Sequence, residues 1–126
     1  MEFVALITLL LIVQYLVFGA LVGKARGDTG VAAPAVTGHE DFERAYRVQM
    51  NTLEQLMIAL PAMWVCAYYF MPLPAALLGL AFFMGRVLYR ATYVKDPAKR
   101  GPGMMIGFLA CVIMIALGLW GVISKL

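Results

Sequence analysis

Arg47, Asn51 and Glu54 are spaced i, i+4 and i+7, which at about 100° per residue confines them to an arc of about 60° on a helix. Arg86, Tyr89, Arg90 and Tyr93 form a second stripe within about 100° by the same arithmetic. Such groups are costly in an apolar environment and normally face protein or a wet cavity, so two stripes at one depth predict a polar pocket. Guanidinium groups suit carboxylates, Glu54 can take an ammonium, and Asn51 and the two phenols add hydrogen bonds. The ligand these groups fit is a small zwitterion with more than one carboxylate. The competing reading is structural: Arg44 and Arg47 snorkel to lipid phosphates and Glu54 pairs with an arginine to set helix register. Arg86 and Arg90 fit snorkelling best, because they fall at the end of a span.

A nucleophile is harder to find. Cys66 and Cys111 lie in apolar runs without a basic neighbour to lower their pKa, and a chain with one histidine has no Ser/His/Asp set. Any reactive group must therefore arrive with the ligand. The cysteines support neither a disulfide framework nor a zinc site, and no metal is expected. His39, alone in a polar connection, reads as solvated.

The elements that carry these residues follow from composition. The 126 residues are 63% hydrophobic and 13% charged, with mean hydropathy +0.87; a soluble domain carries about 25% charged residues. A soluble catalytic domain is excluded, and the chain has room for about four membrane spans. The net charge of +3 is scattered among apolar runs, so nucleic acid is not an expected partner. The expected helices cover residues 3–23, 42–70, 73–94 and 104–123 of one domain, 1–126, an all-α up-and-down four-helix bundle. The first run has no basic residue ahead of it and exceeds a signal-peptide core, so it is expected to be retained. Lys24–Asp41 reads as a loop because it is rich in Gly, Pro and small residues, and Pro61 should bend the second helix and free its outer half to splay. Lys24, Arg26, Arg44 and Arg47 flank the first connection, and Arg86, Arg90, Lys95, Lys99 and Arg100 flank the second. The turn Met71–Pro74 has no charge. Both basic connections are thus expected in the cytoplasm, with the termini opposite.

FERAYRVQMNTLEQ at 42–55, GRVLYRATY at 85–93 and DPAKRG at 96–101 resemble the MAPEG family, the membrane-associated proteins in eicosanoid and glutathione metabolism. The resemblance runs end to end. It implies a homotrimer in the lipid bilayer, of the bacterial type and hence in an inner membrane, with glutathione as co-substrate at each subunit interface. A lipophilic electrophile or lipid hydroperoxide would be the second substrate. Carried over by position, Arg47, Asn51 and Glu54 match glutathione contacts, as do Tyr89 and Tyr93. Arg26 and Gln49 match contacts supplied by the neighbouring subunit, and Arg100 matches the arginine that activates the sulfur. Gln55 departs from the aromatic that some relatives carry after the Glu. Two rival functions are a non-catalytic binding protein of the same fold and a small proton-coupled exporter. An exporter would want a mid-bilayer carboxylate free of cations, whereas Glu54 lies within two turns of Arg47.

Overall fold

A computed structural model describes all of residues 1–126. The chain is all-helical: α1 Glu2–Thr29, α2 Glu40–Tyr69, α3 Pro72–Tyr93 and α4 Gly101–Ile123, with a short 3-10 turn at Pro97–Lys99 before α4. α1, α3 and the stretch Pro97–Ile123 are each long and apolar enough to cross a membrane. α2, of 30 residues, is about 45 Å long at 1.5 Å per residue, and its first half is polar. α2 and α3 each pack on the other three helices, which leaves α1 and α4 on opposite flanks. Only 30 of the 126 residues are buried, and large apolar side chains such as Leu16 and Met57 point outward. That inside-out surface is what a bilayer requires.

Three boundaries differ from the sequence expectation by two residues or more: α1 ends at Thr29 rather than Gly23, α2 starts at Glu40 rather than Phe42, and α4 starts at Gly101 rather than Met104, with Pro102 in its first turn. α1 runs six residues past Gly23, because Lys24 pairs with Asp28 at 2.7 Å and the Thr29 hydroxyl donates to the Ala25 carbonyl. One glycine inside a helix costs only about 1 kcal/mol, so Gly27 does not stop it. The stop comes at Gly30, whose φ of 75° suits glycine and whose N–H returns to the Arg26 carbonyl. At the start of α2, His39 is more than a solvated side chain: its Nδ1 accepts from the Asp41 N–H at 3.1 Å and caps the helix.

α2 is continuous through Pro61, and its outer half does not splay. Ala59, Met63, Cys66 and Ala67, on both sides of the proline, are buried in one core with Val4, Ile7 and Leu11 of α1, Ala75, Ala76 and Phe82 of α3, and Ala110 and Met114 of α4. Packing on both sides holds the helix where a lost backbone hydrogen bond would otherwise loosen it. Cys66 and Cys111 are free, buried members of that core.

Glycines set how closely the helices approach. A Cβ on Gly103 would stand 2.5 Å from the Tyr89 nitrogen, and one on Gly85 would stand 3.1 Å from the Gly107 nitrogen. α3 and α4 therefore meet backbone to backbone, the small-residue crossing favoured between membrane helices. Its consequence is positional: the first turn of α4, led by Arg100, is clamped against Tyr89.

Candidate functional site

The two expected stripes share one end of the bundle, but their residues are used in different ways. Arg86 does not snorkel. It is 1% exposed, and it donates from Nε and Nη2 to the Thr52 hydroxyl oxygen at 3.2 and 2.8 Å, and from Nη2 to Asn51 Oδ1 at 2.9 Å. Its carbon Cζ lies 4.1 Å from the centre of the Tyr89 ring, a cation–π contact that helps a buried guanidinium. Snorkelling fails because Arg86 points inward, across α2, where two oxygens offer better partners than a distant headgroup. Arg90 is half-buried, 5.7 Å from the centre of the Phe18 ring, with its Nη1 covered and unpartnered. It faces α1 rather than the lipid surface.

Arg44 does not reach for lipid phosphate either. Its guanidinium donates to the Val94 and Lys95 carbonyls at 3.3 and 3.1 Å and pairs with Glu40. Those two carbonyls lie just beyond the last turn of α3, where a cation satisfies otherwise unpaired acceptors. The side chain so ties the start of α2 to the end of α3.

Glu54 makes no ion pair within the chain, so it does not set helix register there; the three intramolecular pairs are Met1–Glu2, Lys24–Asp28 and Arg44–Glu40. Glu54 and Arg47 are both exposed on the outer face of α2. Between them, Asn51 is half-buried, its oxygen taken by Arg86. Tyr89, buried, and Tyr93, half-buried, stack with ring centres 5.4 Å apart. Asn51, Tyr89 and Tyr93 are thus gathered around Arg86, and the Gly103 clamp brings Arg100 to the same end. The Arg100 side chain is exposed and donates to the Pro97 carbonyl at 3.1 Å.

Arg26 and Gln49 are not part of that gathering. Arg26 stacks 4.5 Å over the Phe42 ring and donates to the Ala35 carbonyl at 2.7 Å, fastening the first connection. Gln49 lies over Gly19 of α1, where an added Cβ would meet its amide nitrogen at 2.9 Å. Within one chain the expected residues therefore split into two groups, one on the α2–α3–α4 side and one on the α1–α2 side.

A groove of about 300 Å³ opens beside the first group, lined by Gln55, Phe82, Arg86, Met104, Met105 and Phe108. A broader one of about 620 Å³ runs along α2 past Glu54, Leu53, Met57, Leu60 and Pro61. Thr52 is the residue that sequence reading missed. No local signal marks it, since a threonine in a helix can satisfy its hydroxyl on the i−4 carbonyl, as Thr52 does on Val48, and its meeting with Arg86 depends on how α2 lies against α3. No three His, Cys, Asp or Glu side chains cluster as a metal site would require.

An all-helical bundle with three membrane-crossing helices and a polar end built on arginine, asparagine and tyrosine describes a class of integral membrane protein. The chain belongs to the MAPEG family, whose model matches residues 4–120. It is similar to the uncharacterized protein sll1147 of Synechocystis, 45% identical over 97% of this chain and 89% of that one. Human microsomal glutathione S-transferase 2 is 34% identical over 96% of this chain and 82% of its own length. Guinea pig (Cavia porcellus) leukotriene C4 synthase is 32% identical over 95% and 80%.

Proposed function

We propose that this protein is a glutathione transferase of the membrane, conjugating the glutathione thiolate to lipophilic electrophiles, and that it works as a homotrimer. One observation carries the reading: Arg47, Glu54 and the Asn51 NH2 group line one face of α2 and have no partner within the chain. Together they offer a cation for a carboxylate, an anion for an ammonium and a donor pair between, the pattern a zwitterionic peptide needs. The family relatives named for glutathione transfer support the same ligand. Arg26 and Gln49, on the other side of the subunit, are then the neighbour's contribution, and the separation of the two groups within one chain is the expected consequence of an interfacial site.

In this reading the carboxylates of glutathione lie on Arg26 and Arg47, its amine on Glu54, and its sulfur near Arg100 at the start of α4. Free backbone N–H groups there favour an anion. A free thiol has a pKa of about 8.5, so at neutral pH only a few per cent is ionised. Each unit of depression corresponds to about 1.4 kcal/mol of selective thiolate stabilisation, and two units leave mostly thiolate at pH 7. The sulfur lone pair then forms a C–S bond as the electrophile's leaving group departs with its bonding pair. Tyr89 and Tyr93 are the alternative donors to the same sulfur. The apolar partner arrives from the bilayer along the grooves beside α2. Both basic connections face the cytoplasm of a bacterial inner membrane, so cysteines introduced at Thr37 and Ala98 should label only from that side.

The test is direct. Purified protein is given glutathione with a nitroaromatic chloride, and separately with a lipid hydroperoxide, while its mass in detergent is measured. Conjugation by a species of three subunits is the expected result, and hydroperoxide reduction would extend it. Binding of glutathione with neither turnover would replace the transferase with a binding protein, and an active monomer would remove the shared site.

A further inference from the structure

Arg86 is the largest side chain removed from the surface, yet no carboxylate pairs with it. Burying an ion costs several kcal/mol, and an apolar residue of similar volume is often as good or better for stability. A buried guanidinium without a carboxylate calls for another role, and its hydrogen bonds supply one. A guanidinium only donates, so the Asn51 atom facing it must be the oxygen, and the amide orientation is fixed by chemistry. The Thr52 hydroxyl donates to the Val48 carbonyl at 2.7 Å, which turns its lone pairs toward the same guanidinium. Arg86 is therefore gripped by α2 through two oxygens and rests on the Tyr89 ring of α3.

We propose that Arg86 is a positioning residue: by holding Asn51 Oδ1 from inside the bundle it makes Asn51 present only N–H donors to the ligand. This rests on the reading of Asn51 as a glutathione contact. It adds a statement about what is read there. Asn51 recognises an acceptor, a carboxylate or peptide carbonyl oxygen, and rejects a donor at that position.

The test uses the fact that Asn51 is the sole asparagine of the chain. Asparagine labelled with 15N gives one backbone and one side-chain amide signal in detergent-solubilised protein. With Arg86→Met the backbone signal should stay while the side-chain amide signals move toward the shifts of free asparagine, still two because the amide C–N bond does not rotate freely, and exchange faster with water. Glutathione affinity, by equilibrium dialysis, should fall about tenfold with Arg86→Met in the parent and less than about twofold in an Asn51→Ala background, because the effect has lost its target. Asn51→Asp should bind more weakly than Asn51→Ala, since Arg86 would hold one oxygen and turn the other, an acceptor, toward the ligand's acceptor. An unchanged side-chain amide in Arg86→Met, full multiplication of the two losses, or an Asn51→Asp protein that binds as the parent does would each overturn the proposal. Where Arg86→Met fails to fold, Arg86→Lys takes its place: one ammonium lacks the fork that reaches both oxygens, so the same loosening is expected. A parent that binds no glutathione would defeat the transferase reading by itself, and the labelled amide would still decide whether Arg86 fixes Asn51.

Discussion

The two halves of α2 are built by different rules. From Leu56 to Tyr69 the helix is packed by shape: Met63 fills the space at Gly79, the Cys66 backbone lies against Gly118, and the Tyr69 carbonyl lies against Gly121. From Glu40 to Gln55 the buried Phe42, Ala45 and Val48 are joined by polar grip, through Arg44 on the Val94 and Lys95 carbonyls and Arg86 on Asn51 and Thr52. In the outer half every inward contact closes within the chain. The polar half leaves a cation, an anion and a donor pair open on its face. Helix packing between membrane segments gains little from burying apolar area and much from close fit, so the apolar half is a matter of stability. The open groups of the polar half make no ion pair or hydrogen bond within the chain that would contribute to stability, which is why we read them as ligand contacts.

Substitutions in the open set should therefore hurt binding most. Glu54→Gln or Arg47→Ala should weaken glutathione by about 2–5 kcal/mol, the usual cost of truncating one partner of a desolvated charge pair. Glu2→Gln, whose carboxylate pairs only with the exposed N-terminus, should leave affinity unchanged. Dialysis of the three variants decides it. Parent-like binding by folded Glu54→Gln and Arg47→Ala would return both residues to the lipid surface.

Arg100 separates binding from chemistry on the same side of the comparison. If its guanidinium acts on the developing sulfur charge, Arg100→Ala should keep much of the glutathione affinity while turnover falls ~10²–10³, as when one preorganised electrostatic donor is removed. The ultraviolet absorbance of bound thiolate should fade, and raising the pH should partly restore the rate as more thiol ionises unaided. A variant with the parent's rate and absorbance would pass the role to Tyr89 and Tyr93.

How much of this difference was written in the sequence depends on the interaction. The four helices were legible because hydropathy sets span length, and the stripe of Arg47, Asn51 and Glu54 was legible because helical periodicity is local. The direction of Arg86 was not. Whether an arginine at the end of a span turns outward to headgroups or inward depends on what the next helix offers, and Thr52 and Asn51 are more than thirty residues away. The loop reading of residues 24–29 failed for a related reason, since small residues and glycines end a helix only when nothing nearby holds it, and the Lys24–Asp28 pair does. The division of Arg26 and Gln49 from the other expected contacts also has no local signal, because it depends on how α1 lies across α2.

The glycine clamp between α3 and α4 backs the polar end of the bundle and should show an intermediate effect. Gly103→Ala puts a methyl group 2.5 Å from the Tyr89 nitrogen, backbone that cannot move aside, and overpacking of this kind costs about 1–3 kcal/mol. Gly101→Ala, with nothing within 4 Å of the added atom, is the control. Thermal unfolding in detergent should drop for the first and stay level or rise for the second. If α4 is pushed off α3, Arg100→Ala in the Gly103→Ala background should also cost less turnover than in the parent.

The smallest expected effect lies at the start of the polar half, where His39 caps α2. Its Nδ1 takes the Asp41 N–H at 3.1 Å, while the first backbone bond of the helix, Glu43 N–H to the His39 carbonyl at 2.9 Å, is independent of the side chain. His39→Ala therefore removes one acceptor and leaves the helix otherwise intact. Losing a side-chain cap costs about 0.5–2 kcal/mol, and an exposed position belongs at the low end, so global unfolding should hardly move. Fraying should. Amide exchange at Asp41, Phe42 and Glu43 should quicken about twofold, the factor that corresponds to about 0.5 kcal/mol of local opening, while Val48 and Thr52 exchange as before. His39→Asp should restore the protection, because a carboxylate accepts the same N–H and suits the positive end of the helix. Unchanged exchange in His39→Ala would mean that the Arg44 grip on α3, rather than the cap, holds the first turn of α2 in place.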